Sequence, residues 1–222
     1  MAFWQEFEAP IGMETPRRAD ALVPMPDGSA LRLPLRDYGA VGVTGLIANQ
    51  ASLAVARRLA GWMADAASRF APEVVVGLPT LGHVFGPLVA EALGHSNWVA
   101  PGYSRKLWYE EGLSVPLASS TTPVPRRLWL DPRLVARIEG RRVLLVDDVI
   151  STGHSALAGL ELLAKAGVRP AAACVAMAQG DRWRAAWPGE VPLVAAFATP
   201  LYRPTPEGWV PMPETAPRDV AL

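Results

Sequence analysis

At 222 residues the chain is long enough to bury a substantial core as one domain of generous size, and 50% hydrophobic against 19% charged residues is the balance of an ordinary globular protein. The 21 basic residues cancel the 21 acidic ones, which leaves no charge-based argument for nucleic acid, a membrane surface or an acidic polymer as partner. A single cysteine excludes a disulfide framework within the chain and a thiolate zinc cluster, and points to a reducing, cytoplasmic compartment.

The opening MAFWQEFEAP is acidic where a signal peptide is basic, and no apolar run approaches the length of a membrane span. Residues 1–20 read as irregular. LVPMP and LRLPL around Asp27-Gly28 read as a β-hairpin whose prolines confine both arms to sheet edges. From Ile47 to Phe70, Leu53, Ala56, Leu59, Ala60, Met63 and Ala67 recur at helical spacing, with Asn49 or Ser52 available to cap the start. VVVGL (74–78) has the continuous apolar character of a parallel strand covered on both faces, and a helix over 84–93 follows. NWVAP (97–101) and RRLWL (126–130) read as two further strands, separated by a polar segment over 103–125 that is too long for a simple connection and suits a functional loop. RVLLVD (142–147) is a strand, 155–166 a helix ended by Gly167, and ACVAMA (173–178) and PLVAAFA (192–198) complete the strands. Residues 199–222, with six prolines, read as a tail. Strands alternating with helices predict an α/β fold, doubly wound around a mostly parallel central sheet.

The stretch VLLVDDVISTGHS (143–155) carries the chemistry. Ligands of an open parallel sheet bind outside the carboxyl ends of its strands, where Asp147 and Asp148 stand. The turn Ser151-Thr152-Gly153-His154-Ser155 then enters a helix whose free N–H groups and dipole favour a phosphate. Two carboxylates would repel that phosphate unless something lies between them. A ribose resolves the conflict, its hydroxyls donating to the carboxylates while its 5′-phosphate sits in the turn. A receiver domain also gathers aspartates at strand ends, but after its first strand, whereas here at least three strands come earlier.

The thirteen residues resemble the 5-phosphoribosyl-1-pyrophosphate (PRPP) motif of type I phosphoribosyltransferases at every position. The resemblance implies that Asp147 and Asp148 bind the ribose hydroxyls and that Ser151, Thr152, Gly153, His154 and Ser155 bind the 5′-phosphate. GLPTLGHVFGP (77–87) is similar to the pyrophosphate loop of the adenine-specific members and places Thr80, Leu81 and Gly82 against pyrophosphate, although the family often has Arg or Lys where Leu81 stands. YSRKLWYEEG (103–112) resembles the start of the family's catalytic loop, which makes Arg105 and Lys106 the cations expected to close over the leaving group. Lys106 is one of only two lysines in the chain. His83, His95 and His154 show no metal-ligand spacing.

The resemblance further implies a small hood formed by the terminal segments, a base held near Val149, Ile150 and Trp183, Mg²⁺ carried by PRPP rather than by the protein, and a homodimer. Residues 1–222 are expected to form a single domain, with 1–46 an N-terminal extension and hairpin, 47–198 the core and 199–222 the hood or tail. The implied reaction moves a phosphoribosyl group from PRPP to a nitrogen heterocycle and releases pyrophosphate. In 6-oxopurine enzymes of the family an aspartate usually stands where this chain has Ser151, so the serine favours an adenine-type base. An orotate-type enzyme and a non-catalytic PRPP-binding regulator share the motif and stay open.

Overall fold

The computed structural model describes residues 4–11, 15–117 and 126–222. Most of the predicted loop's Ser/Thr/Pro stretch, 118–125, lies outside the described residues.

Four parallel strands, β4 (Val74–Gly77), β7 (Val143–Ile150), β8 (Ala172–Gln179) and β9 (Leu193–Thr199), form the central sheet in that order. Their uninterrupted apolar character is explained by burial on both faces. Leu144, Val146, Cys174, Ala176, Val194 and Ala196 join one core with α1 (Leu53–Ser68) and α2 (Gly82–Ala92), while the alternate residues Val143, Leu145, Ala173, Val175, Leu193 and Ala195 join a second with α4 (His154–Lys165). The sheet is doubly wound, as the strand and helix alternation predicts.

Ser52 caps α1, its Oγ accepting from Val55 N–H at 3.2 Å while donating to the Gln5 carbonyl at 2.7 Å. Leu53, one of the periodic positions, is 66% exposed, because the first turn of α1 overhangs the core. Ser52→Ala is expected to cost about 1 kcal/mol of stability, read by urea denaturation. The end of α4 is a Schellman turn: Gly167 has φ 73°, and Val168 N–H reaches back to the Leu163 carbonyl at 2.8 Å.

A second sheet, antiparallel, is assembled from both ends of the chain in the order β1 (Asp20–Pro24), β2 (Ala30–Asp37), β3 (Gly42–Thr44), β10 (Leu201–Thr205), β11 (Gly208–Met212). This is the hood. The Asp27-Gly28 hairpin is present, but only β1 is an edge; β2 lies between β1 and β3. Pro34 is tolerated there because the β2–β3 register runs from Leu35↔Thr44 to Asp37↔Gly42 and stops one residue short of it. The proline-rich tail is likewise a hairpin, with Pro204 and Pro211 in strands that pair with each other and meet β3 only at Tyr202↔Gly42. Gly42 is needed at that join, since a Cβ would lie 2.6 Å from the Trp209 ring.

Two predicted strands change character. NWVAP contributes a single parallel bridge, Val99 to Val76, on the outer edge of β4, because the chain turns away at Pro101. RRLWL, as β6 (Arg126–Trp129), leaves the central sheet and pairs antiparallel with β5 (Ser114–Leu117). That hairpin packs over α4 instead.

Candidate active site

From β4 the chain passes through α2 to Val99 on one side, while β7 lies on the other side of β4. The strand order therefore reverses between β4 and β7, and a crevice opens at their carboxyl ends. Leu78 N–H still donates to the Val146 carbonyl at 2.8 Å, after which residues 79–81 cross the end of β7; the Pro79–Thr80 bond is cis. The crossing sets Gly82, the first residue of α2, directly on Asp147: a Cβ there would lie 2.8 Å from Asp147 Oδ1 and 3.0 Å from its Cα. The loop over 79–81, the start of α2 and the carboxylate pair are thus one structure.

Asp147 is buried and accepts a hydrogen bond from Asp148 N–H at 2.9 Å. Loss of water, followed by repulsion from Asp148, pushes Asp147 well above the usual carboxylate range, and burial raises Asp148 too. Neither has an ion-pair partner among the described residues. Without a cation beside it such a pair takes further donors, and sugar hydroxyls supply them without bringing charge.

The crevice widens into a cavity of about 980 Å³. Asp148 and the whole turn from Ser151 to Ser155 line it, with Leu81, Val149 and Ile150; Asp147, Thr80 and Gly82 lie behind or beside the lining. Gly153 holds the turn in the left-handed region at φ 86° and is the N-cap of α4, so the free N–H groups of that helix's first turn border the cavity. Thr152 Oγ1 and His154 Nδ1 are 3.2 Å apart within the turn. Trp183 stands beneath the turn, 3% exposed, its Nε1 donating to the Gly180 carbonyl at 2.9 Å, and is outside the cavity lining. Its Cβ lies 3.3 Å from where a Cβ on Gly153 would stand, so it packs against the turn.

Arg105 and Lys106 also stand outside the lining. Arg105 pairs with Glu111 at 2.7 Å and lies 5.1 Å over the Trp129 ring; Lys106 is exposed. Other groups take their place around the cavity. Arg182 Nη2 donates to Ser151 Oγ at 2.7 Å. Tyr103 donates its hydroxyl to the Pro79 carbonyl at 2.9 Å, and burial, then the field of Asp147, raises its pKa. The opposite wall is hood, from Arg36 to Ile47. There Thr44 offers its carbonyl to the side-chain amide of the buried Gln179, and its hydroxyl donates to Thr199 Oγ1 at 3.0 Å, which fastens hood to sheet. Sequence reasoning missed Arg182, Gln179 and Thr44 because they meet only through the tertiary fold, 135 residues separating the last two.

Comparison with known proteins agrees with this geometry. The family model for the phosphoribosyl transferase domain matches residues 42–187. An adenine phosphoribosyltransferase of Erythrobacter litoralis is 32% identical over 143 residues, 64% of this chain and 72% of that one. One from Bifidobacterium longum is 37% identical over 96 residues, 43% of this chain and 46% of its own. Among solved structures, the adenine phosphoribosyltransferase of Thermoanaerobacter pseudethanolicus superposes with a TM-score of 0.56 at 20% identity, covering 65% of this chain and 81% of that one. That of Saccharomyces cerevisiae gives 0.55 at 21%, covering 81% and 94%. Such structural likeness shares the fold. With the family match spanning strand, turn and loop alike, the unpartnered carboxylates at the reversal point have their explanation: the chain belongs to the phosphoribosyltransferase family.

Proposed function

We propose that the protein transfers the 5-phosphoribosyl group of PRPP to a purine, adenine in first place, and releases pyrophosphate. The observation that carries this reading is the carboxylate pair, Asp147 buried and Asp148 on the cavity, beside the N-terminal turn of α4, because a ribose 5-phosphate satisfies pair and turn at once.

Asp147 and Asp148 hold the ribose so that its anomeric carbon faces the base. A ring nitrogen of the base forms the new bond to that carbon while the bond to the pyrophosphate oxygen breaks, its electron pair leaving with pyrophosphate and the ring N–H proton passing to solvent. Positive charge builds on the ribose beside the carboxylates, and negative charge on the leaving group beside the start of α2, whose N–H groups face it. Rate enhancement thus rests on positioning and fixed charge.

Among the described residues no three His, Cys, Asp or Glu side chains converge as a metal cage. The donor set fits Mg²⁺ arriving with PRPP, with Asp148 the carboxylate beside the turn to meet it, while the cavity's other carboxylate, Asp37, stands at the end of β2 in the hood. Such an ion supplies charge neutralisation to the phosphates. The same reading carries a homodimer and a cytoplasmic location; no helix among the described residues is long and apolar enough to cross a membrane.

Adenine is favoured by the names of the relatives and by Ser151, whose hydroxyl is engaged by Arg182 and carries no charge to offer a 6-oxopurine. Pyrophosphate release with PRPP and Mg²⁺ should be measured against adenine, guanine, hypoxanthine, xanthine and orotate. Adenine is expected to give a kcat/KM at least about tenfold above the rest. Preference for orotate would overturn the base assignment, and PRPP binding without turnover on any base would make the protein a PRPP-binding regulator.

A further inference from the structure

The pyrophosphate loop, Leu78 to Gly82, contains no cationic side chain. If the chain is a PRPP-dependent transferase, the reading on which this inference rests, the charge that Leu81 lacks must come from another element. Segment 103–127 holds four cations, Arg105, Lys106, Arg126 and Arg127. Two are engaged elsewhere: Arg105 with Glu111 at 2.7 Å, and Arg127 with Ser114 Oγ at 2.6 Å and Glu111 at 3.7 Å. Lys106 does not border the cavity.

Arg126 does, together with Leu81, Tyr103 and Asp148. Its guanidinium lies 5.6 Å from the centroid of the Tyr103 ring, and the hydroxyl of that ring is bound to Pro79 of the loop itself. Among the described residues Arg126 makes no ion pair. The other cavity arginines are placed for different work, Arg182 on Ser151 of the 5′-phosphate turn and Arg36 on the hood strand β2. We propose that Arg126, at the start of β6, is the pyrophosphate-facing cation of this enzyme, replacing a basic residue in the loop at Leu81. Tyr103 positions it: the ring face fixes the guanidinium by cation–π attraction, and the hydroxyl ties that ring to the loop.

The role is separable from a structural one because, on this reading, pyrophosphate meets the loop over 78–82 and the 5′-phosphate meets the turn over 151–155, two different elements of the cavity. Arg126→Gln is expected to weaken binding of inorganic pyrophosphate and of PRPP, each titrated calorimetrically with Mg²⁺, by about tenfold or more, and to leave ribose 5-phosphate affinity within about twofold. Arg126→Lys should retain most of the affinity. Adding Leu81→Lys to the glutamine variant should restore pyrophosphate binding by moving the charge to the loop. A smaller loss, an equal loss for ribose 5-phosphate, or failure of Leu81→Lys to restore binding would overturn the proposal. These titrations need no acceptor base, so a wild-type protein that binds PRPP without turnover would refute the enzymatic reading while leaving the assignment of Arg126 to be decided by the same data.

Discussion

Asp147→Asn is expected to raise the melting temperature of the free protein while lowering kcat/KM for PRPP by about 100-fold or more. Both halves follow from one fact, that Asp147 is buried beside Asp148 with no compensating cation among the described residues. Folding raises the pKa of Asp147, so between the unfolded value of about 3.9 and the folded one the native state holds more protons than the unfolded state. The stability this group contributes is then fully present at acid pH and falls as pH climbs from the unfolded value through the folded one, where ionisation of the crowded pair opposes folding. Asparagine keeps the shape and removes the charge. Other carboxylates, such as Asp131, held at about 2 by Arg133, pull the pH dependence the opposite way. The quantity to measure is therefore the difference between wild type and variant in melting temperature from pH 4 to 8, which should widen in the variant's favour with rising pH. Saturating PRPP should reverse the order, because only the wild type offers two carboxylates to the ribose. A variant less stable than wild type at pH 8 would contradict the account.

The sequence disclosed the half of the site that is contiguous. In VLLVDDVISTGHS, strand, carboxylates, phosphate turn and helix cap follow one another along the chain, so their geometry is set by local rules: a buried strand, a left-handed Gly153, a helix start. The strand, loop and helix start over 77–87 were legible for the same reason. What escaped was decided by tertiary assembly. RRLWL has the composition of a central strand, but its hydrogen bonds go to β5, and nothing in five residues specifies that partner. The C-terminal hairpin was hidden by prolines, which exclude central strands of a regular ladder but are harmless where pairing is short, as at Tyr202↔Gly42. For Trp183 composition leaves stacking and packing open, and the fold shows its side chain buried against Gly153, a contact that no local pattern specifies. Arg126 carries no such sequence signal, since it falls outside the stretch over 103–112 that resembles the family's catalytic loop and reaches the cavity beside Leu81 and Tyr103 only through the fold.

Gly82→Ala is expected to disable the site through packing rather than chemistry. The added Cβ would meet Asp147 Oδ1 at 2.8 Å, and a rotation of that side chain would relieve this contact alone. Two others are with the β7 backbone, Asp147 Cα at 3.0 Å and the Val146 carbonyl at 3.1 Å, and β7 is held on both sides by β4 and β8. The start of α2 must recoil, carrying Leu81 and the pyrophosphate loop with it. Overpacking of this kind costs about 1–3 kcal/mol of stability. The functional loss should be larger, about 100-fold in PRPP affinity, because the ribose carboxylates and the pyrophosphate N–H groups no longer keep the spacing that one substrate must bridge. Gly61→Ala supplies the opposite case: no atom lies within 4 Å of its Cβ position inside α1, so alanine there should stabilise by up to about 1 kcal/mol and leave PRPP binding unchanged. Calorimetric titration of PRPP against both variants, with urea denaturation alongside, separates the two effects. Wild-type affinity in Gly82→Ala would mean that the contact between α2 and Asp147 does not set the geometry of the site.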